Sequence, residues 1–419
     1  MEEHDMFLLG AATAAHQVEG NNHNSDCWVL ENLEHSTYAE KSGAALDHYH
    51  RYREDIKFLA DAGLNTYRFS IEWARIEPSK GTYNDTEIEH YRDVLLCCKE
   101  NGITPVVTMH HFSSPKWLIE EGGWENEKVV DYFAAYCAYV VSKIGMQMKY
   151  ICTINEANMR VQLSAITRTF LQNMGGNIQV GVKLELPEEM MIGQREASEA
   201  FGGVEEVSTF LSGCTEDGDI LIGKAHMAAR DAMKQICPHL KIGMTLSLHD
   251  IQTIEGGQKR AAEIWNEEFL HYLPYIKGDD FFGLQNYTRN IIDANGEVPV
   301  DEAAKKTQMG YEFYPEALEH VIRSVAKEIS IPILITENGV AVDDDKERID
   351  FIQTALAGVK KCIRDDIPVI GYCYWSLLDN FEWQMGFSKT FGLIAVDRKT
   401  QVRYPKDSLY MIKKLWNKK

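Results

Sequence analysis

The sequence predicts an α/β protein, a single (β/α)8 TIM barrel with one long insertion after its fourth strand. Three observations predict it. Short apolar runs alternate with amphipathic helical segments along the whole chain. The runs lack polar alternation, which is the pattern of strands buried on both faces of a parallel sheet. At 419 residues the chain is long enough for one such barrel with additions. A doubly wound open sheet is the alternative. It normally carries a Gly-rich phosphate turn after its first strand, and Gly10-Ala-Ala-Thr13 is not one.

The elements follow in order. Phe7-Leu-Leu9 opens the first strand and leads through small residues to Gln17-Val-Glu-Gly20. A helix is expected over 49–60, with Tyr52, Ile56, Leu59 and Ala60 on one face and Gly63 as its stop. Thr66-Tyr-Arg-Phe-Ser-Ile71 is the second strand, and 86–100 the next helix, turned inward by Ile88, Tyr91, Leu95 and Cys98. Pro105-Val-Val-Thr-Met109 is the third strand, ending in His110 and His111, followed by a helix over 128–142. Lys149-Tyr-Ile-Cys-Thr-Ile154 is the fourth, ending in Asn155 and Glu156. A helix over 220–236 precedes the fifth strand, Lys241-Ile-Gly-Met-Thr-Leu246. A helix over 258–272 precedes the sixth, Phe281-Phe-Gly-Leu284, which leads to Asn286 and Tyr287. Pro315 opens a helix to 329, where its missing N–H costs nothing. The seventh strand is Ile333-Leu-Ile-Thr-Glu-Asn-Gly339; a helix over 346–363, the eighth strand Val369-Ile-Gly-Tyr-Cys-Tyr374 and a short helix from Lys406 complete the chain.

Between strand four and its helix, residues 163–217 are far too many for an ordinary βα loop. Short helices are expected there, one over 187–200, and in a barrel such an insertion stands on the active-site face as a lid or wall. No Pro/Ser-rich linker or internal repeat divides the chain, so 1–419 reads as one catalytic domain.

Bulk composition narrows the function. A formal charge of −20 disfavours nucleic acid and acidic membranes as partners. No run approaches the length of a membrane span, and the acidic start Met-Glu-Glu-His-Asp is unlike a secretory leader, so a cytoplasmic location is expected. The nine cysteines are odd in number and form no Cys-x-x-Cys pair, which predicts buried reduced thiols rather than disulfides or zinc.

Strand ends of a barrel converge on one site. Here they supply Gln17, Glu19, Arg68, His111, Asn155, Glu156, Tyr287, Glu337 and Trp375. No metal shell and no Ser/His/Asp set stands out among them. Taken alone, Glu337 is better read as a turn or capping acid. A second glutamate, Glu156, at the end of strand four changes that reading. Two carboxylates across the barrel mouth are the pair that glycosidic cleavage needs, one to protonate the leaving oxygen and one to attack the anomeric carbon. Indoles and amides beside them suit a pyranose.

Nearly end to end, the chain resembles glycoside hydrolase family 1, the retaining β-glycosidases. The resemblance is carried by Phe7-Leu-Leu-Gly-Ala-Ala-Thr-Ala-Ala-His-Gln-Val-Glu-Gly20, Tyr67-Arg-Phe-Ser-Ile-Glu-Trp-Ala-Arg-Ile-Glu-Pro78, His110-His-Phe112, Thr153-Ile-Asn-Glu156, Ile335-Thr-Glu-Asn-Gly339, Trp375-Ser-Leu-Leu-Asp-Asn-Phe-Glu-Trp383 and Phe391-Gly-Leu393. It implies Glu337 as nucleophile and Glu156 as acid/base. It implies Asn155 at the sugar 2-hydroxyl, His111 beside the 3-hydroxyl, and Gln17, Glu382 and Trp383 on the outer hydroxyls. Trp375 would floor the ring, with a non-prolyl cis bond after it, and Tyr287 and Arg68 would contact the nucleophile. The implied partner is a small-molecule β-glycoside with no cofactor and no metal; a homo-oligomer stays open.

Singly, several of these residues have plainer readings. His110 and His16 read as core or capping histidines, Glu19 as structural, and Glu72, Glu77 and Asp343-Asp-Asp345 as surface charge or caps. The chain also departs from the family. Ala157 stands where a proline usually follows the acid/base, Gln285-Asn286 replaces Asn-Tyr, and Ser113-Ser114 replaces Asp-Leu. Cleavage of 6-phosphorylated sugars, transglycosylation and a catalytically silent sugar-binding barrel are the rival readings. Glu382 would repel a phosphate, and both carboxylates being present disfavours a silent barrel.

Overall fold

The computed structural model describes residues 6–174 and 188–418. All eight expected strands form: β1 Leu8–Ala12, β2 Thr66–Ser70, β3 Thr104–His110, β4 Tyr150–Ile154, β5 split into Lys241–Gly243 and Thr245–Ser247, β6 Phe282–Gln285, β7 Ile333–Asn338 and β8 Val369–Trp375. The split is what closes the sheet. The first half of β5 pairs in parallel with β4, ending at Cys152↔Gly243, and the second half pairs with β6, starting at Thr245↔Gly283. The sheet therefore runs β5, β4, β3, β2, β1, β8, β7, β6 and back to β5, and the chain through Met244 joins its two edges. Each half keeps one ladder partner, and the covalent chain between them closes the cylinder.

Helices cover this cylinder at His48–Asp61, Asp85–Glu100, Val129–Ile144, Glu216–Ile236, Gln258–Glu268, Ala317–Val325, Asp345–Arg364 and Asp407–Asn417. Most lie within a few residues of their expected bounds. The largest differences are at caps. Thr215 accepts from the Gly218 N–H and starts its helix four residues early. The helix from Gln258 ends at Glu268 and continues as a 3-10 turn, Leu270–Tyr272. The capping reading of the acidic run holds at Asp344, whose side chain accepts from the Lys346 N–H. Glu72 is also an N-cap, for Trp73–Ile76, but both Glu72 and Glu77 are buried, not on the surface.

Two apolar cores separate inside from outside. Helix faces and the outer strand faces share the larger one, around Ile56, Tyr91, Phe133, Met233 and Ile352. Inside the barrel, Leu8, Val106, Tyr150, Cys152, Phe281 and Leu334 fill the floor, drawn from β1, β3, β4, β7 and the approach to β6. Above that plug the interior turns polar, beginning with Arg68. All nine cysteines are unpaired, and only Cys214 is not fully buried. Among the described residues, no helix is long and apolar enough to cross a membrane.

Of the insertion over 163–217, residues 175–187 lie outside the described residues. The helix expected over 187–200 is present as Glu188–Ala200, with Pro187 outside the description, and a longer one, Met159–Met174, spans the start of the insertion. The end of the insertion is packed against the body of the protein. Phe210 is fully buried against His110, Phe112 and Trp124, and the Trp124 N–H donates to the Ser208 carbonyl. Buried Arg160 ties it further, donating from Nη2 to Glu125 Oε1 at 2.9 Å, Ser208 Oγ at 3.0 Å and the Gly213 carbonyl at 2.9 Å. Two short sheets went unforeseen because strands of two to five residues carry little periodicity: Asp250–Thr253 with Arg289–Asp293 and Gly296–Glu297, and Ile394–Val396 with Arg403–Pro405.

Candidate active site

Arg68 organises the polar end of the barrel. A buried guanidinium must be satisfied on every side, and four strands contribute. Nη1 donates to Glu337 Oε1 at 2.5 Å and to the Thr336 carbonyl, Nη2 to Asn155 Oδ1 at 2.6 Å, and Nε to Thr108 Oγ1. The second oxygen of Glu337 accepts from the Tyr287 hydroxyl. β7 delivers this carboxylate through a register break between Ile335 and Glu337, where Glu337 comes opposite Gln285. The strand does not stop at its carboxylate: it runs on to Asn338, whose side chain bonds to the Asn286 carbonyl and to the Tyr372 hydroxyl. Gly339 is needed for close approach rather than for a turn. A Cβ there would lie 1.8 Å from the Trp375 carbonyl oxygen.

Asn155 and Glu156 follow β4. Asn155 Oδ1 accepts from both Arg68 and Gln285 Nε2, the latter at 2.7 Å, which fixes the amide with Nδ2 toward His111 Nε2 at 3.2 Å. Since Nδ2 can only donate, His111 Nε2 accepts, and Nδ1 carries the ring proton. Glu156 adopts φ 44°, a left-handed conformation that costs a residue with a Cβ about 1–2 kcal/mol. Such conformations cluster at functional sites, and Phe112 and Trp383 share the region with φ 68° and 48°.

Aromatic rings line one side. His111 stacks on Trp375 at 5.6 Å between centroids and on Trp383 at 6.3 Å, and His16 stacks behind Trp383 at 5.7 Å. The bond after Trp375 is cis. Gln17 Nε2 donates to the Phe381 carbonyl at 2.7 Å and to Glu382 Oε2 at 3.3 Å, bringing the first and last strand loops together. The ten residues singled out from the sequence thus form one contiguous site.

Burial dominates its electrostatics. Glu156 and Glu337 are 6% and 2% exposed. Burial, and then the Glu337 charge, hold Glu156 well above the usual carboxylate range, while Arg68 acts on it only through space. Burial pushes Glu337 up as well, but Arg68 and the Tyr287 O–H both bond to its anion and pull it back. Glu382 is pushed up to about 8 by burial and by Glu337. His111 is driven well below its ordinary value by burial and Arg68, so it stays neutral.

A model of glycosyl hydrolase family 1 matches residues 3–201 and 271–419. Beta-glucosidase A of Thermotoga maritima is 30% identical over 96% of this chain and 95% of its own length. A 6-phospho-beta-galactosidase of Clostridium acetobutylicum is 29% identical, covering 98% of this chain and 96% of its own. Among solved structures, beta-glycosidase BGL167 superposes with a TM-score of 0.89 at 42% identity, over 98% of this chain and 96% of that one. The Thermotoga maritima beta-glucosidase in complex with glucoimidazole gives 0.78 at 26% identity, covering 98% of each chain.

The chain belongs to glycosyl hydrolase family 1.

As a family 1 O-glycosyl hydrolase, it has site residues that reading strand ends passed over. Thr245 and Gln285 point into the network from β5 and β6, and burial pushes up the phenol of Tyr311, on the irregular stretch after Gly296–Glu297. Gln285 could be noticed only as a departure, and Tyr311 gave no signal because its loop is irregular. The plain reading of His110 holds: it is buried, its Nε2 meets Ser114 Oγ, and burial drives it down to about 3. Glu19 is structural too, paired with Arg75 at 2.8 Å and accepting from the Tyr91 hydroxyl. His16 is buried as expected, but as a ring behind Trp383.

Proposed function

We propose that this enzyme is a retaining exo-β-glycosidase that removes a terminal β-D-glucosyl or related residue from the non-reducing end of a small β-glycoside. The asymmetry of the two glutamates carries the reading. Both oxygens of Glu337 accept hydrogen bonds from Arg68 and Tyr287, which favours an anion, whereas burial and neighbouring charge favour a proton on Glu156. In the first displacement a Glu337 oxygen bonds to the anomeric carbon as the glycosidic C–O bond breaks, and the Glu156 proton passes to the leaving oxygen. In the second, Glu156 as carboxylate takes a proton from water. The water oxygen bonds to the same carbon, and the Glu337 ester bond breaks to restore the carboxylate. Two inversions retain the β configuration.

Sugar recognition follows from the fixed amides. Asn155 Nδ2 is aimed away from Arg68 and suits the 2-hydroxyl, where a hydrogen bond tightens as oxocarbenium character develops. His111 Nδ1 and Gln17 Oε1 are buried with no partner among the described residues, a donor and an acceptor for ring hydroxyls. Glu382 and Trp383 would hold the outer hydroxyls and Trp375 the ring face. The stretch around Phe210, tied down by Arg160, would border the leaving group as part of the same catalytic domain. The free, buried thiols suit a reducing, cytoplasmic setting.

Two observations favour the 6-phospho reading: Ser388-Lys389 follows β8, and a 6-phospho-beta-galactosidase is nearly as similar. Against it, the buried carboxyl of Glu382, bonded to Gln17 and pushed up to about 8, offers a phosphate an acid rather than a cation. A panel of nitrophenyl β-glycosides, free and 6-phosphorylated, decides. Wild type should turn over the free sugars and Glu337→Gln should lose at least about 10⁴-fold in kcat while still folding. Retained activity in Glu337→Gln, or turnover of phosphorylated sugars alone, would overturn the proposal.

A further inference from the structure

We infer that Thr245 is the positioning residue that holds Glu156 as proton donor, an inference that rests on the acid/base reading of Glu156. The reason starts in the sheet. The first half of β5 stays on the β4 ladder only as far as Gly243, and the second half has crossed to β6 by Thr245. Where β5 leaves β4, the polar groups of Thr245 face the turn that β4 makes at its end. Thr245 Oγ1 accepts from the Glu156 N–H at 2.9 Å and donates to the Ile154 carbonyl at 3.2 Å. The Thr245 carbonyl accepts from the Ala157 N–H at 2.9 Å. One residue therefore fixes the backbone before, at and after Glu156.

That grip is needed because of what Glu156 must do there. Its φ of 44° is unfavourable for a residue with a Cβ, so the turn relaxes unless its neighbours over-determine it. A proline at 157 would restrict the preceding residue but would supply no N–H. Ala157 leaves residue 156 unrestricted and supplies the N–H that Thr245 binds. The next ties run the same way: Asn158 exchanges hydrogen bonds with the Ser247 main chain at 2.7 and 3.0 Å. A proline would bias Glu156 toward extended backbone; the Thr245 hydrogen bonds instead hold the left-handed turn that is present.

Thr245→Val keeps the shape and removes the hydroxyl; Thr245→Ser keeps the hydroxyl. Each is assayed in the full-length enzyme on a 2,4-dinitrophenyl β-glucoside and on an alkyl β-glucoside, whose leaving group needs a proton. Thr245→Val should lose about tenfold or more in kcat/KM on the alkyl substrate and change less than about threefold on the activated one. Its alkaline limb should move, and Thr245→Ser should restore both. Equal losses on the two substrates would mean a packing role, or an effect through Gln285 and Asn155, and no loss on either would mean that the grip is dispensable; both overturn the inference. If Thr245→Val does not fold, Thr245→Ala is read by the same split. Glu156→Ala, run in parallel, must itself show the split. If it does not, the acid/base reading fails and takes the inference with it, a result distinct from failure of Thr245→Val beside a well-behaved Glu156→Ala.

Discussion

At the scale of residues, the site works by denying its polar groups alternatives. Asn155 shows this most directly. Two donors, Arg68 and Gln285, converge on one amide oxygen, so the NH2 end must face His111 and the sugar. Removing the Gln285 donor should free that amide to rotate. Gln285→Leu is expected to lower kcat/KM on a nitrophenyl β-glucoside by roughly tenfold, the value of one or two kcal/mol in a buried hydrogen bond. The loss should shrink on the 2-deoxy substrate, which has no hydroxyl for Asn155 to hold. An undiminished loss on that substrate would show that Gln285 acts elsewhere.

At the scale of elements, the turn after β2 carries a titrating cap. Glu72 caps Trp73–Ile76 from within the core, accepts from Ser113 Oγ, and is pushed up to about 8 by burial and by Glu19. Its folded value lies above its ordinary 4.5, so the folded state binds the extra proton. Stability from this group is full below about 4.5 and is lost as pH rises through about 8. Glu72→Gln keeps an acceptor and cannot ionise. Its stability relative to wild type should therefore rise between pH 5 and pH 9, by an amount on the order of 2 kcal/mol, in paired thermal melts. A constant offset between the two proteins would show that Glu72 stays ionised throughout.

At the scale of the whole molecule, the barrel is held by packing and hydrogen bonds without covalent cross-links. Nine cysteines are unpaired, and Cys214 alone is half-buried. Thiol titration should find nine reactive groups in denaturant, and in the native enzyme Cys214 should react first but slowly, because burial pushes its thiol up to about 11. The melting temperature should be the same with and without reductant. A reductant-dependent melt, or fewer thiols in denaturant, would reveal a cross-link formed in solution. The same architecture explains why the site is preorganised: Arg68 cannot move without breaking bonds to Thr108, Asn155 and Glu337, which come from three other strands or strand ends.

What the sequence determined by itself was the alternation of strands and helices, and the types of side chain at the strand ends. Both are local: buried parallel strands must be apolar throughout, and outer helices must show one apolar stripe. That is why all eight strands and their helices were legible, and why Gln17, Arg68, His111, Asn155, Glu156, Tyr287, Glu337 and Trp375 could be chosen before any coordinates; Glu382 and Trp383 came only from the resemblance to the family. Tertiary structure alone decided who touches whom. Nothing in Lys241–Leu246 says that the strand divides its pairing between two neighbours, nor that Thr245 thereby meets the turn at Glu156. Glu72 reads as surface charge until the fold buries it, and Gln285 as a substitution until Asn155 is placed beside it. Periodicity records which face of an element is buried; the partner found there depends on where distant segments cross, and that is settled only when the cylinder closes.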